Sequence, residues 1–442
     1  MISELRSVIK AYYEIERAWH SENKKTDEYL AAVCFFEHMT YRLTEADKSD
    51  QLIGLRMSRR LMKRLFSKSK EAILVVHPEQ PTIVLGGIIR TRDIIVNYVD
   101  RCADQPVGTY IAKDFITGVD LPRWSLLFCM IPFMVRQSWR AVISKRRINF
   151  ALSIHEVFEI AYLKYYIRTK GIKHIYDWIP YEKDSNFLSL QMMKEGAEVT
   201  KIPSPGPLAT HNRIMIGTEI IFSTPYHFEE LKRFGDTIRA QKFSKWPPQG
   251  AEANIQQYMD HPQPPRFTLG FYSHGSWVRK AEKHAQHGRA VDVAEAKILG
   301  LLGRFIQENP EFKLTIFPHP RERKHSMEMI TRFYTTTIGH NQFSIVDKSH
   351  GTVASFHLVD IAIGAFSSIL YERMYCGYKT LIGNIGFHDF PMNGSTLNTI
   401  SFVAYEEMQE LIKRFAPQSD DWFFEQTKLD EYRYTKFQKM AG

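Results

Sequence analysis

Apolar and polar positions change their period several times along the chain, and each change marks an element. Up to about residue 70 the period is helical and charge is dense, ending in LIGLRMSRRLMKRLFSKSK, where leucines and methionines recur every three or four positions among seven basic residues. Such a helix either rests on an anionic surface or packs on the domain with its basic face in water. From Ala72 the runs become short and β-branched: AILVV, then TIVL closing on Gly86-Gly87, IKHIYDWI, AEVTKIP and IMIGTEIIFS. Between them lies the helical IHEVFEIAYLKYYIRTK, with Gly171 as its stop. Short apolar runs that end at Gly or Pro and alternate with helices predict a buried, largely parallel sheet.

The periodicity fades between Gln241 and Pro265, a stretch that holds five of the twenty prolines and reads as a linker. Strand and helix patterns then resume with FTLGFYS, KLTIFP, FSIVD, IAIGA and TLIGN, interleaved with helices such as the amphipathic Ala294–Gln307. Asp421–Met440 reads as a terminal helix able to pack back on the first half. The expected division is an N-terminal helical segment over 1–70, an α/β domain over 71–240, a linker over 241–265, a second α/β domain over 266–415 and a closing helix within 416–442. The fold class is α/β, with two Rossmann-like domains facing an interdomain cleft.

Length and composition add to this picture without redirecting it. A chain of 442 residues suits two domains, and 44% apolar with 24% charged residues is ordinary for a globular protein. The net charge of +9 favours anionic partners: nucleotides, nucleic acid or an anionic membrane face. Cys34, Cys102, Cys129 and Cys376 lie far apart without metal-ligand spacing, which suits reduced thiols of a cytoplasmic protein and no zinc site. The N-terminus lacks the apolar core of a signal peptide, and the apolar run Trp124–Val135, at twelve residues, is too short to span a bilayer. The wider segment 121–150 carries Arg123, Arg136, Arg140, Lys145, Arg146 and Arg147 around Trp124 and Trp139. It is either an interfacial helix on an anionic membrane, at the inner face of the cytoplasmic membrane, or a core helix.

Candidate chemistry concentrates between Lys313 and Lys379. The strand KLTIF runs into Pro318-His319-Pro320-Arg321, where two prolines restrict the backbone around a histidine. Further on, DIAIGAF leads to Ser367-Ser368 at the start of a helix carrying Glu372. Serines there supply hydroxyls and N–H groups where the helix dipole favours an anion, and they equally suit simple capping.

This arrangement of an HP element, an apolar strand and an SS element resembles the donor-binding half of bacterial GT-B transferases that use cytidine nucleotides: sialyltransferases and polysialyltransferases, Kdo transferases, and CDP-glycerol glycerophosphotransferases. The resemblance covers roughly 266–384. It implies that His319, with Pro320 and Arg321 beside it, contacts the CMP phosphate or base, that Ser367 and Ser368 hold the phosphate, and that Glu372 meets the ribose hydroxyls. Ser273 and Gly275, in the loop after the second domain's first strand, are placed to touch the donor phosphates as well.

These families take the general base from the first domain, where Asp184 and Glu182 are the candidates by position, with Asp177 and Glu156 behind them. A carboxylate there would need burial to raise its pKa. No DxD triplet occurs, so neither a metal nor another cofactor is expected. The function expected is inverting transfer of sialic acid, Kdo or a related nonulosonic acid from a CMP-linked donor to a cell-surface glycan or glycolipid, as in capsule or lipopolysaccharide assembly. The alternatives are transfer of a polyol phosphate from a CDP-linked donor and, from another class, non-catalytic nucleic-acid binding. The last is disfavoured, because the basic residues are scattered and no RNP, KH or zinc-finger pattern occurs.

Overall fold

The computed structural model describes residues 2–21, 23–44, 73–86, 92–103, 105–112, 129–137 with 139, 149–178, 185–203, 214–281, 285–346, 352–365, 367–385 and 395–434. The chain divides into two compact units. One gathers Met1–Pro203, Leu208–Phe222 and Leu231–Ser244; the other gathers Ser204–Pro207, Ser223–Glu230 and Lys245–Gly442.

The first unit is built on strands β1 (Ile73–Val75), β2 (Thr82–Gly86), β3 (Thr109–Ala112), β4 (His174–Asp177), β5 (Glu198–Lys201), β7 (Glu219–Phe222) and β9 (Lys242–Lys245), in the order β1-β3-β2-β4-β5-β7-β9. β2 pairs in parallel with both β3 and β4, β4 with β5, and β5 with β7, while β1 caps the edge antiparallel to β3. The parallel core therefore runs 2-1-3-4-5, one of the two common doubly wound orders. A small separate ladder joins β6 (Met215–Ile216) to β8 (Ile238–Arg239).

The N-terminal helices belong to this unit. In Ile2–Trp19 the side chains of Leu5, Val8, Tyr12 and Ile15 recur at helical spacing and are all buried. They share a core with Phe35 and Phe36 of the helix Asp27–Thr44, with Val157, Ile160 and Leu163 of Asn149–Thr169, and with Phe187 and Leu188 of Ser185–Lys194. Asn149–Thr169 stops at the predicted Gly171, whose φ of +61° lies in the left-handed region. The basic stretch 52–70 lies outside the described residues.

The second unit holds β10 (Thr268–Tyr272), β11 (Lys313–Phe317), β12 (Ser344–Ile345), β13 (Ile361–Gly364), β14 (Thr380–Gly383) and β15 (Ser401–Phe402). Its sheet order is β12-β11-β10-β13-β14-β15, and every pairing is parallel. Counted within the unit this is 3-2-1-4-5-6, the Rossmann dinucleotide-binding order. β10, β13 and β14 are buried at every position, as strands covered by helices on both faces must be. The core joins Leu269, Phe271, Ile316, Ile363 and Leu381 of the sheet to Ile298, Leu302 and Phe305 of Ala285–Glu308, and to Met408 and Ile412 of Tyr405–Phe415.

The α/β expectation with two Rossmann-like units therefore holds, but two boundaries differ. The stretch 241–265 is no linker: Lys242–Lys245 is a strand of the first sheet, and Gln249–Tyr258 is a helix whose Ala251, Ile255 and Tyr258 enter the second core. Pro247 and Pro248 cost nothing there, because they stand before the helix, where a proline displaces no helical hydrogen bond. Within the expected closing segment a helix runs Asp420–Thr427, started by Ser419, whose Oγ accepts the Trp422 N–H at 3.2 Å, while 435–442 lie outside the described residues. Its Phe423 and Phe424 are buried in the second unit's own core, which is where the described part of 416–442 packs. The four cysteines are free thiols, Cys34 and Cys376 buried and the other two half-buried.

Candidate functional site

In a 3-2-1-4-5-6 sheet the chain reverses its direction of build-up between the first and fourth strands, and ligands sit beyond the carboxyl ends at that point. Here those strands are β10 and β13. β10 is in register with β11 on one side and β13 on the other, Phe271 facing both Ile316 and Ile363. The continuations of all three strands therefore emerge at one sheet edge. Those after β11 and β13 lie two strand spacings apart, about 10 Å. They are Ser273–Ser276, His319–Arg321 and Ser367–Ser368, so the topology gathers the predicted donor-binding residues, apart from Glu372, at one edge.

Their local chemistry differs. In Ser273–Ser276 every backbone N–H is already used. Ser273 N–H donates to Phe317 O at 3.2 Å, Gly275 N–H to Ser273 Oγ at 2.9 Å, Ser276 N–H to Glu295 Oε2 at 3.1 Å and His274 N–H to Glu295 Oε1. Glu295, from the helix Ala285–Glu308, thus fills with its own carboxylate the anion position at the start of Ser276–Ala281. Burial pushes its pKa up to about 7, against the opposing effect of the two N–H groups. Ser273 is nearly buried, and its hydroxyl donates to Glu322 Oε1 at 3.1 Å. Ser273 and Gly275 therefore form the frame of the edge and do not offer donors to a phosphate, in contrast to the expectation.

Ser367–Ser368 is the opposite case. Ser367 holds the N-cap position of Ser368–Tyr375 with extended backbone (φ −117°, ψ 137°), yet its side chain makes no capping bond. Leu370 N–H donates to Ser367 O at 3.0 Å, and no acceptor among the described residues meets the N–H of Ser368 or Ile369. Both serines are half-buried. Two hydroxyls and two open N–H groups at a helix start are an arrangement with the chemistry to receive an anion.

The other end of that helix is fastened. Arg373 is fully buried, and its guanidinium donates to Phe356 O, to Val359 O at 2.6 Å and to Asp360 O at 3.0 Å, with Nε donating to Lys379 O at 3.2 Å. Glu372, one residue earlier, is turned into the protein against Gly250 at the start of Gln249–Tyr258. Burial pushes its pKa up to about 7, with the Gly250 N–H opposing. Its carboxyl is not among the groups presented with the two serines.

His319 is half-buried, Pro320 exposed and Arg321 half-buried. The Arg321 N–H donates to His319 Nδ1 at 3.1 Å, so a neutral imidazole carries its proton on Nε2. Glu322, not among the residues singled out by the sequence, reaches back to accept the His319 N–H on Oε2 at 2.6 Å. The His319 side chain thus accepts from the N–H two residues on while Glu322 returns to the His319 N–H from three residues on, the reciprocal bonding of a capping box, although the short 3-10 helix itself spans Glu322–Lys324 with Arg321 at its N-cap. That spacing was the available signal. Glu322 is fully buried, and burial raises its pKa despite its four donors.

The candidate bases fall elsewhere. Asp184 and Glu182 lie outside the described residues. Asp177 ends β4, fully buried, and accepts from Lys201 Nζ at 2.9 Å and from Ser185 Oγ at 2.5 Å, while Lys201 also donates to Ser185 O at 3.2 Å. An aspartate neutralised by a buried lysine and held by a helix-start serine is a structural tie, not a base poised for an acceptor. Glu156 is buried within the helix Asn149–Thr169. Among the described residues no group of three or more His, Cys, Asp or Glu side chains is placed to hold a metal ion, and no helix is long and apolar enough to cross a membrane.

No protein-family model matches the chain, and no curated protein matches it. Among solved structures it is similar to an O-GlcNAc transferase of Thermobaculum terrenum, at 11% identity over 98% of this chain and 80% of that one, with a TM-score of 0.40. It is similar also to the UDP-GlcNAc 2-epimerase of Neisseria meningitidis bound to UDP-GlcNAc, at 9% identity over 81% and 97% of the two chains, with a TM-score of 0.45. A glycosyltransferase of Rickettsia africae matches at 10% identity over 82% and 97%, with a TM-score of 0.41.

Proposed function

We propose that this chain is a glycosyltransferase that takes a sugar from a nucleotide-linked donor held on its second unit, the donor being a CMP-linked nonulosonic acid such as sialic acid or Kdo. The observation that supports this is the edge shared by β10, β11 and β13, which carries both the uncapped helix start at Ser367–Ser368 and, in the turn after β11, His319 with its Nδ1 already accepting from Arg321. The nucleotide phosphate is the leaving group, and its growing charge is stabilised by donors already in place before reaction. Ser367 and Ser368 hold the phosphate; His319 donates to a phosphate oxygen or to the base, with Arg321 adding positive charge.

The acceptor is a cell-surface glycan or glycolipid, and its hydroxyl loses its proton to a carboxylate of the loop that follows β4, Asp184 before Glu182. No DxD triplet occurs, so activity persists in EDTA. An anionic membrane, at the inner face of the cytoplasmic membrane, is the working surface. In the described part of segment 121–150, Ile131, Val135 and Trp139 are exposed large apolar side chains four positions apart, beside the exposed Arg136.

Isothermal titration with CMP, CDP, UDP and GDP tests the reading. Binding of CMP or CDP in preference to the others is expected, and tight binding of UDP or GDP alone overturns the cytidine assignment.

A further inference from the structure

Glu322 lies beneath the edge without facing it, and four donors from different elements converge on it. Oε2 accepts the His319 N–H at 2.6 Å; Oε1 accepts the Ser273 hydroxyl at 3.1 Å and the indole N–H of Trp277; the Tyr334 hydroxyl lies 3.1 and 3.2 Å from the two oxygens. These donors come from the loop after β10, the helix Ser276–Ala281, the turn after β11 and the helix Met327–Ile338. A carboxylate has about four lone-pair sites, and all are occupied.

We propose that Glu322 is a positioning residue for His319: by accepting the His319 N–H it holds the turn in which the Arg321 N–H meets Nδ1, and so keeps the imidazole in the tautomer with its proton on Nε2. This rests on the reading of His319 as a donor to the nucleotide. The neighbouring side chains agree with it. Gly275 packs on the same imidazole, so closely that a β-carbon there would stand 3.1 Å from the ring, and Ser273 ties that glycine to Glu322 through its hydroxyl. The carboxylate therefore locates both the ring and the surface against which the ring rests.

The arrangement of donors supplies a discriminating test. Trp277 Nε1 and His319 N are donors only, and they fall on different oxygens of Glu322. In Glu322→Gln one of the two must face an amide N–H, whichever way the amide turns. The hydroxyls of Ser273 and Tyr334 can rotate to accept. In Trp277→Phe/Glu322→Gln the conflict disappears, because the amide oxygen can serve His319 while its NH2 faces the hydroxyls.

Two measurements are made on wild type, Trp277→Phe, Glu322→Gln and the double variant: the ring nitrogen shifts of His319 by NMR, and CMP affinity by calorimetry. Wild type and Trp277→Phe are expected to show the Nε2–H tautomer. Glu322→Gln is expected to show a mixture and to bind CMP roughly tenfold or more weakly, and the double variant to recover both. Recovery would not follow if Glu322 served stability alone. A folded Glu322→Gln with unchanged tautomer and affinity overturns the proposal, as does a double variant no better than the single one. If wild type binds no nucleotide the glycosyltransferase reading fails, while the tautomer comparison still decides the role of Glu322.

Discussion

Gly275 lies directly against His319: a β-carbon added at position 275 would stand 3.1 Å from Cβ, Cγ and Nδ1 of the histidine, and φ there is +68°. Gly275→Ala therefore combines a left-handed backbone penalty of about 1 kcal/mol with displacement of the imidazole. The expected outcome is a small fall in melting temperature with a disproportionate loss of nucleotide affinity. Calorimetric titration beside a thermal melt checks it; equal affinity in the variant would show that the ring's position does not matter.

Ser367 makes no capping bond, so its hydroxyl is dispensable for folding. Replacing Ser367 and Ser368 by alanine should change stability by less than about 0.5 kcal/mol, where loss of a working N-cap costs about 1. Nucleotide affinity should fall roughly tenfold or more, and similarly for His319→Ala. A melting point that drops while affinity holds would return the serines to a capping role.

The buried carboxyls give stability an unusual pH dependence. Glu295 and Glu372 are raised by burial from about 4.5 to about 7, so the folded protein binds protons that the unfolded chain has released. Their contribution is complete below about pH 4.5 and is lost as pH rises through about 7, by up to about 3 kcal/mol each. His227, fully buried and lowered by that burial to about 3, works in the other direction: its contribution is present above about 6.5 and is lost as pH falls towards 3. Denaturant unfolding of wild type and Glu295→Gln between pH 5 and 8 should differ in slope, the variant losing less stability as pH rises. Parallel curves would contradict the shift at Glu295.

Two aspartates of the first unit should separate cleanly. Asp177→Asn leaves Lys201 charged and buried without its partner, which costs about 3–5 kcal/mol and is read as a lowered unfolding midpoint. Asp184→Asn should leave folding and nucleotide affinity intact while turnover falls by about a hundredfold or more. An active Asp184→Asn enzyme removes that residue as the base.

The exposed side chains at positions 135 and 139 predict sedimentation with vesicles containing phosphatidylserine, weakening as salt rises. Val135→Ser with Trp139→Ser should release the protein. Retention at wild-type levels would show that this face does not meet lipid.

The sheet of the second unit was legible because β10, β13 and β14 are buried at every position and so read as apolar runs that end at polar loops. The edge strand Lys242–Lys245 was not: KFSK is partly exposed, and proximity to Pro247 and Pro248 made the region read as a linker. His319, Ser367 and Ser368 were legible through strand ends and resemblance. Glu295 was not, since it reaches His274 and Ser276 only in the folded chain. Glu322 was hidden because its partners, a backbone N–H in a tight turn and side chains from three other segments, come together only in the folded chain. The open helix start and the plugged one look alike in sequence; only the acceptors around them tell them apart.

Arg373 bears on how a ligand would be received. Its guanidinium bolts the far end of Ser368–Tyr375 to the carbonyls of Phe356, Val359, Asp360 and Lys379. The helix cannot slide along its axis or tilt without breaking buried hydrogen bonds to a charge. An anion bound at Ser367, as proposed, would therefore meet a docking post of fixed height, with little of its binding energy spent on moving the protein to meet it.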